Sequence, residues 1–235
     1  MQLHAGEIFG VFGLVGSGRT EFLRTLFGLQ EVASGEIIVG QYSGASTPVE
    51  RWSQGIGFLS EDRKDEGIAA SMTIADNLTL SNLGGTGPGP FVLPKVQHEQ
   101  AQHWIGALNI RCQNSGQRIR NLSGGNQQKV ALGRLLFHDV DILLLDEPTR
   151  GIDVGAKAKI YQVLDDLVTR NTNKAVIVVS SYLPELMGIC DRIAVMSRGK
   201  LGQPHLAGEV SEHQLMEEAV SQSSQALEES FSEKK

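Results

Sequence analysis

A glycine-rich segment between an apolar run and a helical pattern constrains the fold of this chain most. The apolar run covers residues 8–12, and the apolar residues of 21–27 recur at helical spacing. The pattern therefore predicts a strand, a loop and a helix in succession. Glycines in the loop would let backbone N–H groups turn inward around phosphate oxygens, with the positive end of the helix behind them. The alternative is a tight turn that only packs the helix onto the strand.

The side chains of this loop fit phosphate binding, with one exception. Thr20 can offer its hydroxyl to Mg²⁺. Such loops usually carry lysine where this chain has Arg19, so a broad planar fork replaces a compact point charge. We expect altered geometry at the terminal phosphate. The residues predicted to bind phosphate are Gly13, Gly16, Ser17, Gly18, Arg19 and Thr20.

Two carboxylates end a second apolar segment. Four consecutive branched aliphatics at 142–145 predict a strand buried on both faces of a parallel sheet. Asp146 and Glu147 would emerge at its carboxyl end, where open α/β sheets bind ligands. We expect Asp146 to hold Mg²⁺ and Glu147 to be free to polarise an attacking water. The alternative, a solvated acidic turn before Pro148, accounts for neither the order of these segments nor their neighbours.

A third segment, over residues 122–125, has a pattern that is typical of one protein family. Leu122-Ser123-Gly124-Gly125 opens a helical stretch over 126–137, where Ser123 suits an N-cap and the glycines would expose N–H groups. Placed between the glycine loop and the acidic strand, it resembles the signature motif of ABC ATPases. The resemblance implies that Ser123, Gly124 and Gly125 meet the γ-phosphate of ATP held by an opposite cassette. It also implies a head-to-tail dimer in which each chain supplies half of two composite sites.

Further segments resemble the second cassette of the fused ATP-binding proteins of monosaccharide importers, of the ribose and galactose type. The likeness runs from about residue 6 to about residue 202. It implies an α/β P-loop fold of the ABC ATPase type, with a mostly parallel sheet flanked by helices and an inserted helical subdomain. It also implies ATP and Mg²⁺ as cofactors, and integral membrane permease subunits and, indirectly, a sugar-binding protein as partners. The matching segments are 60–64, 148–157, 178–181, 184–185 and 191–193.

Three positions depart from the family pattern. Arg19 replaces the loop lysine, Glu61 stands where a glutamine senses Mg²⁺, and Ser181 stands where a switch histidine contacts the γ-phosphate. Glu61 adds a negative charge near the metal, and Ser181 lacks the reach and charge of imidazole. We therefore expect this chain's own site to bind nucleotide but turn it over poorly, while its signature motif completes a competent partner site. A regulatory module that never hydrolyses, or an ABC protein without a transport role, is the alternative.

The pattern predicts one nucleotide-binding domain over residues 1–220, a helical subdomain over about 73–120, and a disordered polar tail over 221–235. Strands are expected at 8–12, 36–39, 55–59, 174–180 and 192–196, besides the acidic strand. Helices are expected at 154–170 and 184–189. Alternation of strand and helix implies a mostly parallel sheet with right-handed crossovers. The family receives the coupling helix of a permease near 61–77.

Composition excludes some classes of partner. With 235 residues, a net charge of −6 and no basic stripe, we expect no nucleic-acid binding. No apolar run has the length of a bilayer span, and the start lacks a secretory signal, so the expected location is cytoplasmic, peripheral on the inner membrane face. Only twelve residues precede Gly13. The chain is therefore a fragment, or its site lacks the adenine-stacking aromatic usual upstream of the loop.

Overall fold

A central parallel sheet places the glycine loop, Glu147 and Ser181 at one edge. The computed structural model describes residues 1–84, 86–88, 91–170 and 172–221. The strands are β1 (Ile8–Phe12), β2 (Ile38–Val39), β3 (Tyr42–Ser43), β4 (Ile56–Leu59), β5 (Ile142–Asp146), β6 (Ala175–Ser180), β7 (Arg192–Ser197), β8 (Lys200–Leu201) and β9 (His205–Leu206). The helices are α1 (Arg19–Phe27), α2 (Pro48–Ser53), α3 (Ile74–Thr79), α4 (Pro94–Ala107), α5 (Gly124–His138), α6 (Val154–Arg170) and α7 (Leu183–Ile189), and residues 212–221 are also helical.

The strand order is β4-β5-β6-β1-β7, and all four of these pairings are parallel. The short strands β8 and β9 pair antiparallel with β7. This arrangement confirms the predicted mostly parallel sheet flanked by helices. Residues of β1, β4 and β6 are buried throughout, as expected for strands covered on both faces.

Register brings the ends of three strands together. Phe12 is opposite Ser180, and Asp146 is opposite Val179. The chain leaves all three strands at the same edge, so the glycine loop, Glu147 and Ser181 follow neighbouring strands. The fold alone therefore gathers residues that lie more than a hundred positions apart.

The sheet separates two apolar clusters. On one face, Phe9 and Val11 pack with Leu23 and Phe27 of α1. On the other face, Ile8 and the remaining helices α3 to α7 form the larger cluster. Within the described parts of the chain, no helix combines the length and apolarity that crossing a bilayer requires.

Two details of the predicted layout differ. The strand expected over 36–39 is only Ile38–Val39, and it pairs antiparallel with β3 outside the parallel sheet. A turn at Gly40, with φ +56°, reverses the chain there, and Ser43 donates a hydrogen bond to Glu36 across the hairpin. The described residues of the stretch 73–120 form α3, α4 and the start of a 3₁₀ turn at Ile119–Asn121, and the described residues between these elements are not helical. The disordered tail was predicted over 221–235. Residue 221 is helical, and residues 222–235 lie outside the described part of the chain.

Candidate functional site

The glycine loop follows β1 and ends at the first turn of α1. Gly16 and Gly18 have φ of +78° and +99°, in the left-handed region that glycine enters without a Cβ penalty. Gly18 occupies the N-cap position and Arg19 is the first helical residue. A Cβ on Gly13 would collide with the Met196 carbonyl oxygen and the Ser17 hydroxyl, so Gly13 permits close packing beneath the loop.

A cavity of about 560 Å³ opens above this loop. Eight of the predicted site residues line it, whereas Gly13 and Asp146 lie beneath and do not. The cavity is also lined by Arg150, Lys157, Tyr182 and Glu185, for which the sequence predicted no role. The predicted residues in the lining are Gly16, Ser17, Gly18, Arg19, Thr20, Glu61, Glu147 and Ser181.

Asp146 is buried at the end of β5, with 1% of its surface exposed. Burial raises the pKa of its carboxyl to about 6, and the neighbouring Glu147 charge adds to this, against a hydrogen bond from Thr20. Its Oδ2 has no hydrogen-bond partner, and neither does the buried Ser17 hydroxyl. A buried carboxylate oxygen without a partner, next to a threonine hydroxyl, is a donor set that fits Mg²⁺. The predicted pair Thr20 and Asp146 therefore fits the metal.

Glu147 is not free, contrary to the expectation from sequence. Its Oε1 accepts a hydrogen bond of 2.6 Å from the Ser181 N–H, and its Oε2 lies 3.3 Å from the Ser180 hydroxyl. Arg19 Nη2 lies 3.7 Å from Oε1, and both side chains are almost covered, at 11% and 13% exposure. The residue has φ +45°, and its N–H bonds the Val179 carbonyl at 3.0 Å. Neighbouring strand ends thus hold the carboxylate in place.

Arg19 lies in an unusual environment for a cation. Burial lowers the pKa of its guanidinium, whereas Glu147 and Asp146 raise it. Its Nη1 is buried without a hydrogen-bond partner. Nη2 of the guanidinium therefore faces Glu147, while Nη1 is a donor that has no hydrogen-bond partner.

Glu61 lines the cavity but points its carboxylate at a protein cation. It forms an ion pair with Arg150 of the loop after β5. Arg63, two residues further, donates from Nη1 to the Arg150 carbonyl oxygen at 3.4 Å. The structure therefore ties the segment after β4 to the loop after β5, and Arg150 occupies one oxygen of the Glu61 carboxylate.

The signature segment lines a different cavity, of about 740 Å³. Ser123, Gly124 and Gly125 all face it from the start of α5, so one chain does not unite them with the glycine loop. Ser123 occupies the predicted N-cap position, but its hydroxyl makes no capping bond and instead accepts a 2.9 Å bond from the Asn126 amide. The first-turn N–H groups of α5 therefore lack this side-chain cap.

Comparison with known proteins decides the family. The sequence profile described as ABC transporter matches residues 1–150, which contain the glycine loop, the signature segment and the acidic strand. The chain belongs to the ABC transporter family. Within the part described, no three His, Cys, Asp or Glu side chains cluster as a metal site of their own.

Relatives of this cassette include sugar-import proteins. A ribose import ATP-binding protein of Bacillus licheniformis is 40% identical over 220 residues, which cover 93% of this chain and 43% of the relative. A putative ribose/galactose/methyl galactoside import ATP-binding protein of Agrobacterium fabrum is 43% identical, covering 85% of this chain and 40% of the relative. The cassette thus spans about two fifths of the length of these curated relatives.

Solved structures agree on the fold. A dimeric ATP-binding cassette in a post-hydrolysis state, bound to ADP and Pi, superposes with a TM-score of 0.76 at 22% identity over 88% of both chains. A nucleotide-free cassette from an ABC transporter gives a TM-score of 0.74 at 18% identity, over 94% of this chain and 87% of that one. These likenesses support the ABC ATPase fold.

A partly buried polar cluster of Thr149, Lys157, Tyr161 and Glu185 beside the cassette's cavity was not foreseen. Glu185 of α7 forms an ion pair with Lys157 of α6, and it accepts a 2.8 Å hydrogen bond from the Thr149 hydroxyl. Thr149 also lies 2.9 Å from the Tyr161 hydroxyl. Burial raises the pKa of Glu185, but its bonds to Lys157, Tyr161 and Thr149 outweigh burial and hold the pKa below its ordinary value. The only sequence signal was the family match at 148–157 and 184–185.

Proposed function

We propose that this chain is an ATP-binding subunit, or half-subunit, of an ABC importer for a monosaccharide. It would couple ATP binding and hydrolysis to transport while attached to permease subunits at the cytoplasmic membrane face, with a sugar-binding protein as an indirect partner. Support comes from the family profile and from relatives named for ribose or galactose import at 40% and 43% identity. Nucleic acid has no place in this function.

The chain's own cavity would hold the phosphates of ATP. Gly16, Ser17 and Gly18 offer the loop backbone, and the partnerless Nη1 of Arg19 can donate to a phosphate oxygen. Thr20 and Asp146 would hold Mg²⁺, which neutralises charge on the phosphate oxygens when bound. Gly13 would contribute by letting the loop pack closely on β7.

The Arg19 and Glu147 contact carries the proposal that this site is weak. A general base must reach the attacking water, yet this carboxylate already has the guanidinium at 3.7 Å and the Ser181 N–H at 2.6 Å. Ser181 supplies no imidazole. Glu61 is paired with Arg150 and would have to leave it to reach a metal. Nucleotide would therefore bind here with slow turnover.

The other half of the function lies on α5. Ser123, Gly124 and Gly125 would complete the site of a partner cassette in a head-to-tail dimer. The uncapped first turn of a 15-residue helix presents N–H groups suited to a γ-phosphate. None of the three departures from the family pattern lies on this segment.

Turnover by the isolated chain tests the division of labour. We expect calorimetry to detect Mg·ATP binding and a phosphate-release assay to give turnover near background. Addition of a partner cassette with an intact site should restore hydrolysis. Fast hydrolysis by the chain alone would refute a degenerate own site.

A regulatory module that binds nucleotide without any hydrolysis is the second candidate, favoured by the same Arg19 and Glu147 contact. The two candidates differ in the mixed assembly. A regulatory module would leave the partner's turnover independent of Ser123, whereas the importer proposal requires Ser123.

A further inference from the structure

Two hydrogen bonds in series end at the hydroxyl of Ser123, at the start of α5. The backbone N–H of Arg111 donates to Asn126 Oδ1 at 2.9 Å, and Asn126 Nδ2 donates to Ser123 Oγ at 2.9 Å. Ser123 is the N-cap of the helix and Asn126 is its third residue. All three residues line the cavity of about 740 Å³. The series therefore runs along the wall of the cavity that the signature segment faces.

The first donor fixes the direction of both bonds. A backbone N–H can only donate, so the carboxamide atom of Asn126 that meets Arg111 must be the oxygen. The amide nitrogen then faces Ser123, and the Ser123 hydroxyl accepts. A hydroxyl has one hydrogen of its own, which an accepting contact leaves for another bond. Within the described part of the chain, no acceptor takes this hydrogen.

The same contact turns the hydroxyl away from the helix backbone. A serine at the N-cap ordinarily accepts a bond from a backbone N–H of the first turn. Ser123 accepts from the Asn126 side chain instead and makes no capping bond. The Ser123 hydrogen and the uncapped N–H groups of the first turn are therefore all donors at one place on the cavity wall.

We infer that Asn126 is a positioning residue of the signature segment: it holds the Ser123 hydroxyl as an acceptor, so that this hydroxyl donates its own hydrogen to the γ-phosphate on a partner cassette. The inference rests on the proposed function and deepens it, because it names the residue that directs the serine. A hydrogen bond to a charged acceptor is stronger than a neutral one, so its direction matters for binding. Bonds in series also polarise one another, which makes the Ser123 hydroxyl a better donor. Asn126 acts through Ser123 and does not itself touch the phosphate.

The origin of the series is held in place by a second contact. Lys129, one turn after Asn126 on α5, is 4% exposed and donates from Nζ to the Asn109 carbonyl oxygen at 2.9 Å. Asn109 has φ +49°, so the chain turns there directly before Arg111. Residues 109–111 are thus tied twice to the first two turns of α5. The Arg111 N–H therefore keeps its position relative to the carboxamide that it orients.

A double-mutant cycle tests whether Asn126 acts through Ser123. The assay is ATP turnover by this chain paired with a partner cassette whose own site is intact. We expect Ser123→Ala to lower turnover by about tenfold or more, as for a lost hydrogen bond to a charged group, and Asn126→Ala by at least about threefold. In the double variant, Asn126→Ala should cause no further loss, because the hydroxyl that it directs is gone.

Asn114→Ala is the matched control for this cycle. Asn114 is exposed, and its Oδ1 accepts a 2.9 Å bond from the Gly116 N–H, which is the same kind of contact as that between Arg111 and Asn126. Its amide nitrogen serves no hydroxyl, so this variant should turn over like wild type. Nucleotide binding at the chain's own cavity should be the same in all of these variants.

Asn126→Asp separates the anchoring of residues 109–111 from the direction of the Ser123 bond. An aspartate still accepts from the Arg111 N–H, but its other oxygen cannot donate, so the Ser123 hydroxyl would turn its hydrogen to the carboxylate. Thermal unfolding should show this variant to be at least as stable as wild type, since a carboxylate in the first turn of a helix is favourable. Its turnover should nevertheless fall at least as far as that of Asn126→Ala.

Two results would overturn the inference and leave the proposed function intact. One is a double variant in which the losses from Ser123→Ala and Asn126→Ala multiply, because Asn126 would then act independently of the hydroxyl. The other is wild-type turnover by Asn126→Asp. Wild-type turnover by Ser123→Ala would instead remove the signature segment from the partner site, and the proposed division of labour would fail together with the inference.

Discussion

Arg19 Nη2 lies 3.7 Å from Glu147 Oε1, so the cation of the glycine loop contacts the carboxylate proposed as general base. Both groups are nearly covered by protein. The contact gives Arg19 two competing partners once nucleotide enters, the carboxylate and the terminal phosphate. Turnover at this site then depends on how far the phosphate draws the guanidinium away from Glu147.

Arg19→Lys should separate the two partners. A compact ammonium can approach the phosphate as a point charge, so we expect nucleotide affinity at the own site to rise by about tenfold, or roughly 1.4 kcal/mol. Hydrolysis there should stay low, because Ser181 still lacks an imidazole. The double change with Ser181→His should raise turnover well beyond either single change, since neighbours on one phosphate are rarely additive.

The measurement is the ATPase rate of four proteins: wild type, Arg19→Lys, Ser181→His and the double variant. Each is paired with a partner cassette that is inactivated at its own general base. Arg24→Lys is the matched control, since Arg24 lies on the same helix and pairs with Glu66 outside this cavity. A double variant that remains at background would shift the defect to Glu61, which pairs with Arg150.

Ser123→Arg should abolish hydrolysis at the partner site. The side chain is exposed at the start of α5, so its bulk would enter the dimer interface with little effect on folding. Glu147→Gln should lower the total activity of the mixed dimer by less than about twofold, because the weaker site contributes least. Gln113→Arg, at an exposed position outside the signature segment, should behave like wild type. Comparable and near-complete losses from Ser123→Arg and Glu147→Gln would contradict this asymmetry.

Much of the fold was predictable because local patterns set it. The helix Val154–Arg170 and the strand Ile8–Phe12 have the bounds expected from apolar spacing. The parallel sheet also followed, since buried aliphatic strands alternate with helices. The strand predicted over 36–39 was too long, because apolar spacing does not reveal that the chain turns back at Gly40.

The composition of the site was predictable, but its pairings were not. Arg19 and Thr20 were expected in the glycine loop from the local pattern, and Ser181 was assigned through the family resemblance; the structure places all three in the lining of one cavity. Arg150 pairs with Glu61, and the Ser181 N–H donates to Glu147. Both contacts depend on how far side chains reach between loops that are distant in sequence. Sequence alone carries no such distances.

Asp146→Asn should stabilise the nucleotide-free chain. The pKa of this carboxyl rises from 3.8 to about 6 in the folded state, so its charge opposes folding above pH 6. The difference corresponds to a cost on the order of 3 kcal/mol at about 1.4 kcal/mol per pH unit. The neutral amide removes that cost, and the gain should shrink as pH falls from about 6 towards 3.8, below which both states bind the proton.

Denaturant unfolding at pH 7.5 and pH 5 measures this gain. Asp166→Asn is the control, because Asp166 is an exposed acid whose ion pair with Arg170 contributes little. The stabilised variant should also lose the Mg²⁺ dependence of nucleotide binding. A variant that is less stable than wild type at both pH values would show that the Asp146 charge is already compensated within the fold.

Glu185→Gln tests whether the polar cluster of Thr149, Lys157, Tyr161 and Glu185 positions the loops of the cavity. Glu185 joins Lys157 and Thr149, and it lies on the helix that follows Ser181. Because the folded state holds its pKa below the ordinary 4.5, its contribution is present above that pH and is lost as pH falls through the lower value. We expect a loss of about 1–3 kcal/mol at pH 7.5, as for other removed charge-assisted hydrogen bonds, and weaker nucleotide binding at the own site.

The pair Lys157→Met and Glu185→Gln distinguishes a coupled cluster from two separate contacts. Lys157→Met alone leaves the half-buried Glu185 carboxylate without its cation, which should cost more than removing both charges. The double variant should therefore lose less stability than the sum of the single changes. Glu209→Gln, at an exposed acid outside the cluster, should leave unfolding and nucleotide binding unchanged. Losses that simply add would mean that Lys157 and Glu185 act independently, and that the ion pair does not hold the Ser181 loop.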